Sequence, residues 1–278
     1  GWLKTNGQHN NGGTLISGGE PEFSEFLVAF LNGMESRYGI EVTAISPTNE
    51  PDYEVSYESM NTTPSELSSI LINLNARLSN SGLDHVKIVS PECFRVESQN
   101  SGTSATNYIN TMFENSAVEN AVDIVGTHTY ADPNHNANWN ALKEAANGKP
   151  VWVTESANLN STDLSMTDAA DYIKWILRGF NEGGVTAYML HLFYEQADND
   201  GYSSLVSWTP TGDIILPKRY YSFKHFTNLV KRGYSLITSN STDENGVYVG
   251  SFISDDESKV IVQIFNEGNE KDFSIDIP

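Results

Sequence analysis

Apolar positions along the chain follow two alternating rhythms. In residues 21–38, Phe23, Phe26, Leu27, Phe30, Leu31 and Met34 recur at helical spacing, and Gly39 stops the helix. The same period returns in residues 64–80, which open on Pro64 and place Leu67, Ile70, Leu71, Leu74 and Leu78 on one face. It also predicts helices over 105–120, 138–147 with Gly148 as the stop, 167–181 and 220–231. Between them lie short apolar or β-branched runs at 40–45, 86–89, 121–125, 151–154 and 185–190, which read as strands. Five strands each followed by a helix, with one further helix ahead, imply parallel strands joined by crossovers. A doubly wound open sheet and a closed eight-stranded barrel both fit. No glycine-rich phosphate loop follows the first strand, which counts against a dinucleotide-binding fold. After Gly233 the period drops to two in GVYVGSF, KVIVQIF and DFSIDI, the signature of a small antiparallel β-domain.

Composition narrows the function. With 278 residues and 38% hydrophobic side chains the chain can build a core, and no apolar run approaches the roughly 20 residues of a membrane helix. Thirty-six acidic against 16 basic residues give a charge of −20, which repels nucleic acid but not a neutral substrate. The single cysteine, Cys93, excludes an intrachain disulfide and a Cys-rich zinc site, and reads as a small buried residue. The first residue is Gly1, with no basic start and apolar stretch behind it, so a processed product or a fragment is expected. Three N-x-S/T sites, at Asn61, Asn160 and Asn240, are compatible with a secreted, extracellular protein.

The placement of the acidic residues carries the chemistry. Glu50, in SPTNEP, follows the first predicted strand, and Glu155, in VWVTES, follows the fourth. Both fall at C-terminal strand ends, where barrel enzymes place their reacting groups. A carboxylate directly after an apolar strand is costly without a partner, and two at one mouth suggest paired work. Glycosidic cleavage needs such a pair, one carboxyl protonated for the leaving oxygen and one ionised. His128 and Tyr130 of GTHTY, His191, Tyr194 and Trp208 belong to the same face, the aromatics as candidates to stack on sugar rings. The two histidines of HTYADPNH stand seven apart on a loop, a poor zinc spacing, so no metal is expected. Taken singly, each glutamate reads more readily as a cap partner or surface group, while His128, His191 and Tyr130 are evenly balanced between site and satisfied core residue. Tyr172 and Trp175 read as core, and Asp163 and Asp168 as serving the start of their helix.

Three motifs in order, GWLKTNG at the start, ISPTNEPD at 45–52 and VWVTES at 151–156, resemble glycoside hydrolase family 30. That family belongs to the clan of retaining enzymes on (β/α)8 TIM barrels with a β-sandwich side domain. The resemblance covers residues 1 to about 232 and implies that Glu50, after the fourth barrel strand, is the acid/base. It implies that Glu155, after the seventh, is the nucleophile, that Asn49 binds the sugar 2-hydroxyl, and that His128 and Tyr130 sit beside the nucleophile. Trp2, in the first motif, joins the substrate-binding candidates. NEPDYEVSYESM is closer to the xylan-active branches than to the glucosylceramidase branch. His191 stands where xylan-active relatives carry a tryptophan-rich strand end, and the arginine and tyrosine set that reads a glucuronic acid branch is not evident. Both departures speak against dependence on glucuronate.

The expectation is therefore a retaining endo-β-1,4-xylanase without metal or organic cofactor, whose partner is the polysaccharide. β-1,6-Glucanase, galactanase or β-glucosidase action, and a non-catalytic carbohydrate-binding protein, are the alternatives. The resemblance implies residues 1–232 as barrel units four to eight, lacking the first three strands, and 233–278 as part of the β-sandwich. It also implies a monomer when complete. A five-stranded barrel piece leaves open edges and a breached core, so the chain alone is expected to fold poorly.

Overall fold

The computed structural model describes residues 1–97, 103–130, 137–158, 164–196, 204–239 and 246–276. Helices α1 (Glu20–Tyr38), α2 (Pro64–Asn80), α3 (Ala105–Met112), α4 (Ser116–Ala121), α5 (Trp139–Ala145), α6 (Met166–Asn181) and α7 (Lys218–Leu229) account for every helical rhythm in the sequence. Strands β1 (Ala44–Ile45), β2 (Lys87–Cys93), β3 (Ile124–His128), β4 (Val151–Glu155) and β5 (Val185–Tyr188) form one parallel sheet in that order. The order runs without the reversal that defines a doubly wound sheet.

Two compact units divide the chain. The first comprises Gly1–Ser156 with Gly183–Leu190 and holds the parallel sheet. Its core is built by the expected faces: Leu67, Ile70, Leu71 and Leu74 of α2 are buried, as are Ile88, Val89, Val125, Val151 and Val153 of the strands. Thr63 starts α2 with a reciprocal capping box, its hydroxyl accepting from the Glu66 N–H and its own N–H donating to the Glu66 carboxylate. Gly39 ends α1 in the left-handed conformation, at φ 66°. The second unit comprises Ala157–Glu182 with His191–Pro278. It holds a mixed sheet of β6 (Tyr194–Gln196), β7 (Val206–Trp208) and β8 (Ile214–Ile215). It also holds an antiparallel sheet of β9 (Ser235–Ile237), β10 (Val247–Ile253) and β11 (Val260–Asn266). There α6 packs on α7 and β10, and Phe180 meets Phe226 and Phe252.

Several expectations need correction. The strand over 40–45 shrinks to Ala44–Ile45, because only these residues find a ladder partner on β2. The helix over 105–120 is two helices, since the Asn115 side chain accepts from the Ala117 N–H and starts a new one. The expected strand at 121–125 accordingly begins later, at Ile124. β2 runs through Pro91 to Cys93, four residues beyond the expected end. DFSIDI is not a strand over its described residues, and the third strand of that sheet is Ser235–Ile237 instead. Asp168 lies in the first turn of α6, as expected, but is not its cap. Ser165 caps α6, and Asp168 is buried against Arg219 at 2.8 Å. Asp163, Asn160 and Asn240 lie outside the described residues. Tyr172, Trp175 and Cys93 are buried as expected.

Candidate active site

The site occupies the C-terminal ends of β2, β3 and β4 and the loop after β1. β3 and β4 place His128 and Glu155 directly opposite each other in parallel register. Register shifts interrupt the ladder between Pro91 and Cys93 and again at Thr127 and His128. Such irregularities turn side chains away from strict alternation. At the first of them Glu92, at φ 63°, turns its side chain into the sheet end. Glu50 is also left-handed, at φ 46°. A non-glycine residue in that region stores strain that its surroundings must hold in place. They do so here. The Glu50 N–H donates to the Glu92 carbonyl at 2.9 Å, the Thr48 hydroxyl to the Pro91 carbonyl at 3.3 Å, and the Phe94 N–H to Asp52 at 2.9 Å. The loop after β1 is thus fastened to the end of β2.

Three carboxylates surround one imidazole. His128, with no exposed surface, has Nδ1 2.8 Å from Glu50 Oε1 and 3.7 Å from Glu155 Oε2. Its Nε2 stands 3.3 Å from Glu92 Oε2, a close ion pair rather than an aligned hydrogen bond. Burial pulls the His128 pKa down. Its hydrogen bond with Glu50, the close contact with Glu92 and the charges of Glu155 and Glu92 outweigh this and raise it to about 9. Tyr130 donates to Glu155 Oε2 at 2.7 Å, and Tyr57 to Glu50 Oε2 at 3.3 Å. Both phenols are pushed upward by burial and by the neighbouring carboxylates, Tyr57 to about 12, so both remain hydrogen-bond donors. One ligand-type atom each from Glu50, His128 and Glu155 lies within 4.8 Å of the others. That grouping was invisible in linear spacing. Both ring nitrogens of His128 face carboxylates, so the ring acts here as a cation and not as a lone-pair donor.

The structure thus gathers Glu50, Glu155, His128 and Tyr130, and adds three residues that sequence reasoning missed. Glu92 is buried at 5% exposure and takes a hydrogen bond from Thr154 Oγ1 at 2.5 Å. Tyr57 lay in a polar stretch without any period. Phe94 stacks on Tyr53 at 4.3 Å and lies 5.6 Å from the Tyr130 ring, an aromatic wall beside the carboxylates. The only available signal was PECF itself, a carboxylate and an aromatic at a strand end. Asn49 and Trp2 both line a cavity of about 280 Å³ together with Leu3, Phe26 and Met60. His191, Tyr194 and Trp208 belong to the second unit. Tyr194 and Trp208 face each other at 5.1 Å across the β6 and β7 pairing.

A parallel α/β sheet thus carries two carboxylates and an imidazolium at its C-terminal rim, groups of the kind hydrolytic enzymes use. The family described as glycosyl hydrolase catalytic core matches residues 18–212, and the chain belongs to it. The sequence is 26% identical over 253 residues to a glucuronoxylanase, XynC, of Bacillus subtilis, covering 89% of this chain and 52% of that protein. The chain spans about half the length of the curated relatives it matches. In fold it is similar to a glycoside hydrolase family 30 subfamily 8 xylanase from Clostridium acetobutylicum. The TM-score is 0.75 at 23% identity, over 96% of this chain and 62% of that one. It is also similar to an endo-β1,6-glucanase, with a TM-score of 0.82 at 18% identity, over 96% and 61%. The resemblance to family 30, nearest its xylan-active branches, agrees with these matches.

Proposed function

We propose that this chain carries the catalytic centre of a retaining glycoside hydrolase acting on a β-linked polysaccharide, β-1,4-xylan by preference. One observation carries the reading: Glu50 and Glu155, from different strand ends, bring carboxylate oxygens within 4.8 Å of each other. Retaining enzymes hold their carboxyls about 5–5.5 Å apart, and inverting ones about 6.5–9.5 Å to admit a water. In the first step a Glu155 oxygen attacks the anomeric carbon. The bond from that carbon to the leaving oxygen breaks, and its electron pair takes the proton from Glu50. In the second step Glu50 takes a proton from water, the water oxygen attacks the same carbon, and Glu155 leaves as carboxylate. Tyr130 orients Glu155 for the attack, and Tyr57 steadies Glu50.

Residues 1–232 are read as units four to eight of a (β/α)8 barrel, and 233–278 as part of its side domain. The unreversed strand order supports this. The curated relatives, glucuronoxylanases by name, support xylan as substrate, and a polymeric substrate is the ground for reading the protein as secreted. The fold likeness to an endo-β1,6-glucanase keeps β-1,6-glucan as the second reading. Reducing-end release from xylan and from β-1,6-glucan separates the two. Glu155→Gln should abolish turnover with the circular dichroism spectrum unchanged, and undiminished activity would remove Glu155 as nucleophile. Proton NMR of the first product should show retained anomeric configuration, and an inverted product would reject the double displacement.

A further inference from the structure

The double displacement leaves Glu92 unused. It is nonetheless the most elaborately housed carboxylate of the site. Its backbone is left-handed at a break in the β2 ladder, and its side chain is buried. Thr154 donates to one oxygen, and the other has no hydrogen-bond partner among the described residues. Gly126 of β3 makes the space: a Cβ there would collide with Glu92 Oε1 and come within 2.7 Å of Val89 Cγ1. A buried carboxylate with a half-empty hydrogen-bond shell is costly unless a cation faces it. The cation is His128, whose Nε2 is 3.3 Å away.

The movement of charge through the reaction gives this pair a task. Before the first step Glu155 is negative and Glu50 carries a proton. After it Glu155 is a neutral ester and Glu50 is negative. The second step reverses the exchange. One negative charge therefore shuttles between the two catalytic glutamates, and the total does not change. His128 Nδ1 lies 2.8 Å from one and 3.7 Å from the other, so a single fixed cation faces the charge wherever it resides.

We propose, resting on the glycosidase reading above, that Glu92 is a positioning residue. It is the permanent counter-ion on Nε2 that keeps His128 an imidazolium while Glu50 and Glu155 exchange charge on the Nδ1 side. Without it the ring would lose its constant partner each time Glu50 is protonated. The groups facing His128 are Glu50 from the loop after β1, Glu92 from β2, Glu155 from β4, and the Tyr130 ring at 5.8 Å from the turn after β3.

The test is nitrogen NMR of the full chain with ¹⁵N-labelled histidine, the His128 ring identified by its loss in His128→Gln. In the unmutated chain both ring nitrogens should stay protonated through neutral pH. Titration at or below the ordinary histidine midpoint, about 6.5, would overturn the proposal without any variant. In Glu92→Gln, which keeps the shape and removes the charge, the midpoint should fall by about 1–3 pH units. The alkaline limb of the kcat/KM profile should fall with it, a displacement that mere loosening of the fold does not produce. An unmoved midpoint in the folded variant overturns the counter-ion role even if glycosidase activity is intact. A lowered midpoint in a chain that cleaves no glycan keeps the counter-ion and rejects the reading on which its kinetic role rests.

Discussion

A histidine without exposed surface would ordinarily give up its proton, because burial disfavours the charged ring. At His128 three carboxylates reverse that outcome and hold the pKa at about 9. The native state therefore holds this proton more tightly than the unfolded chain, whose histidines titrate near about 6.5. The associated stabilisation is fully present below pH about 6.5 and is lost as pH rises through about 9, with a size on the order of 3 kcal/mol. Urea midpoints should decline from about pH 6 to about pH 9.5, and His128→Gln should flatten the decline. An equally steep slope in the variant would place the proton elsewhere. At this scale the sequence was legible where an apolar strand ends on a charge, as at Glu50 and Glu155. It was silent on Glu92, because a proline one residue earlier reads as the end of a central strand. The break in the ladder that aims Glu92 inward depends on β3 and β4, which a local pattern does not contain.

Among the elements, the helices were the readable part. Each presents one apolar face at a period of about 3.6, and the caps follow from short-range chemistry. Thr63 with Glu66 is the clearest, closing both bonds of the capping box. Thr63→Ala should destabilise the chain by about 1 kcal/mol, seen as a lower urea midpoint with the slope unchanged. No measurable effect would mean that tertiary packing alone holds the start of α2. Strands were less readable because ladder partners define them. Ala44–Ile45 is short for want of more partners on β2, and DFSIDI alternates without finding any over its described residues. β6, β7 and β8, of two or three residues each, are too brief for a period to register.

For the molecule as a whole, the charge of −20 acts through no single contact. Self-repulsion of that size opposes compaction and is screened by salt. Raising NaCl from about 10 mM to about 150 mM shortens the screening length from about 30 to about 8 Å, so the thermal midpoint should rise. A flat response would show that the acidic side chains are spread too widely to repel. The strict alternation of strands and helices made the parallel class readable, and the unreversed order appears only once strands are paired in space. The division into two units was not readable either. α6 follows the parallel strand β4 in sequence, yet groups with the C-terminal sheet through α7 and β10.

The missing Cβ at Gly126 ties two positions into one heritable unit. A lineage that keeps the Glu92 carboxyl in this position can take alanine at 126 only by displacing it, since the methyl group would occupy the place of the acid. A lineage that loses the carboxyl is released from the glycine, apart from the press of Val89. Across descendants of this gene the two sites should therefore drift together or not at all. Glycine there would then serve as a fossil record of a buried acid, even on branches whose catalytic glutamates have decayed.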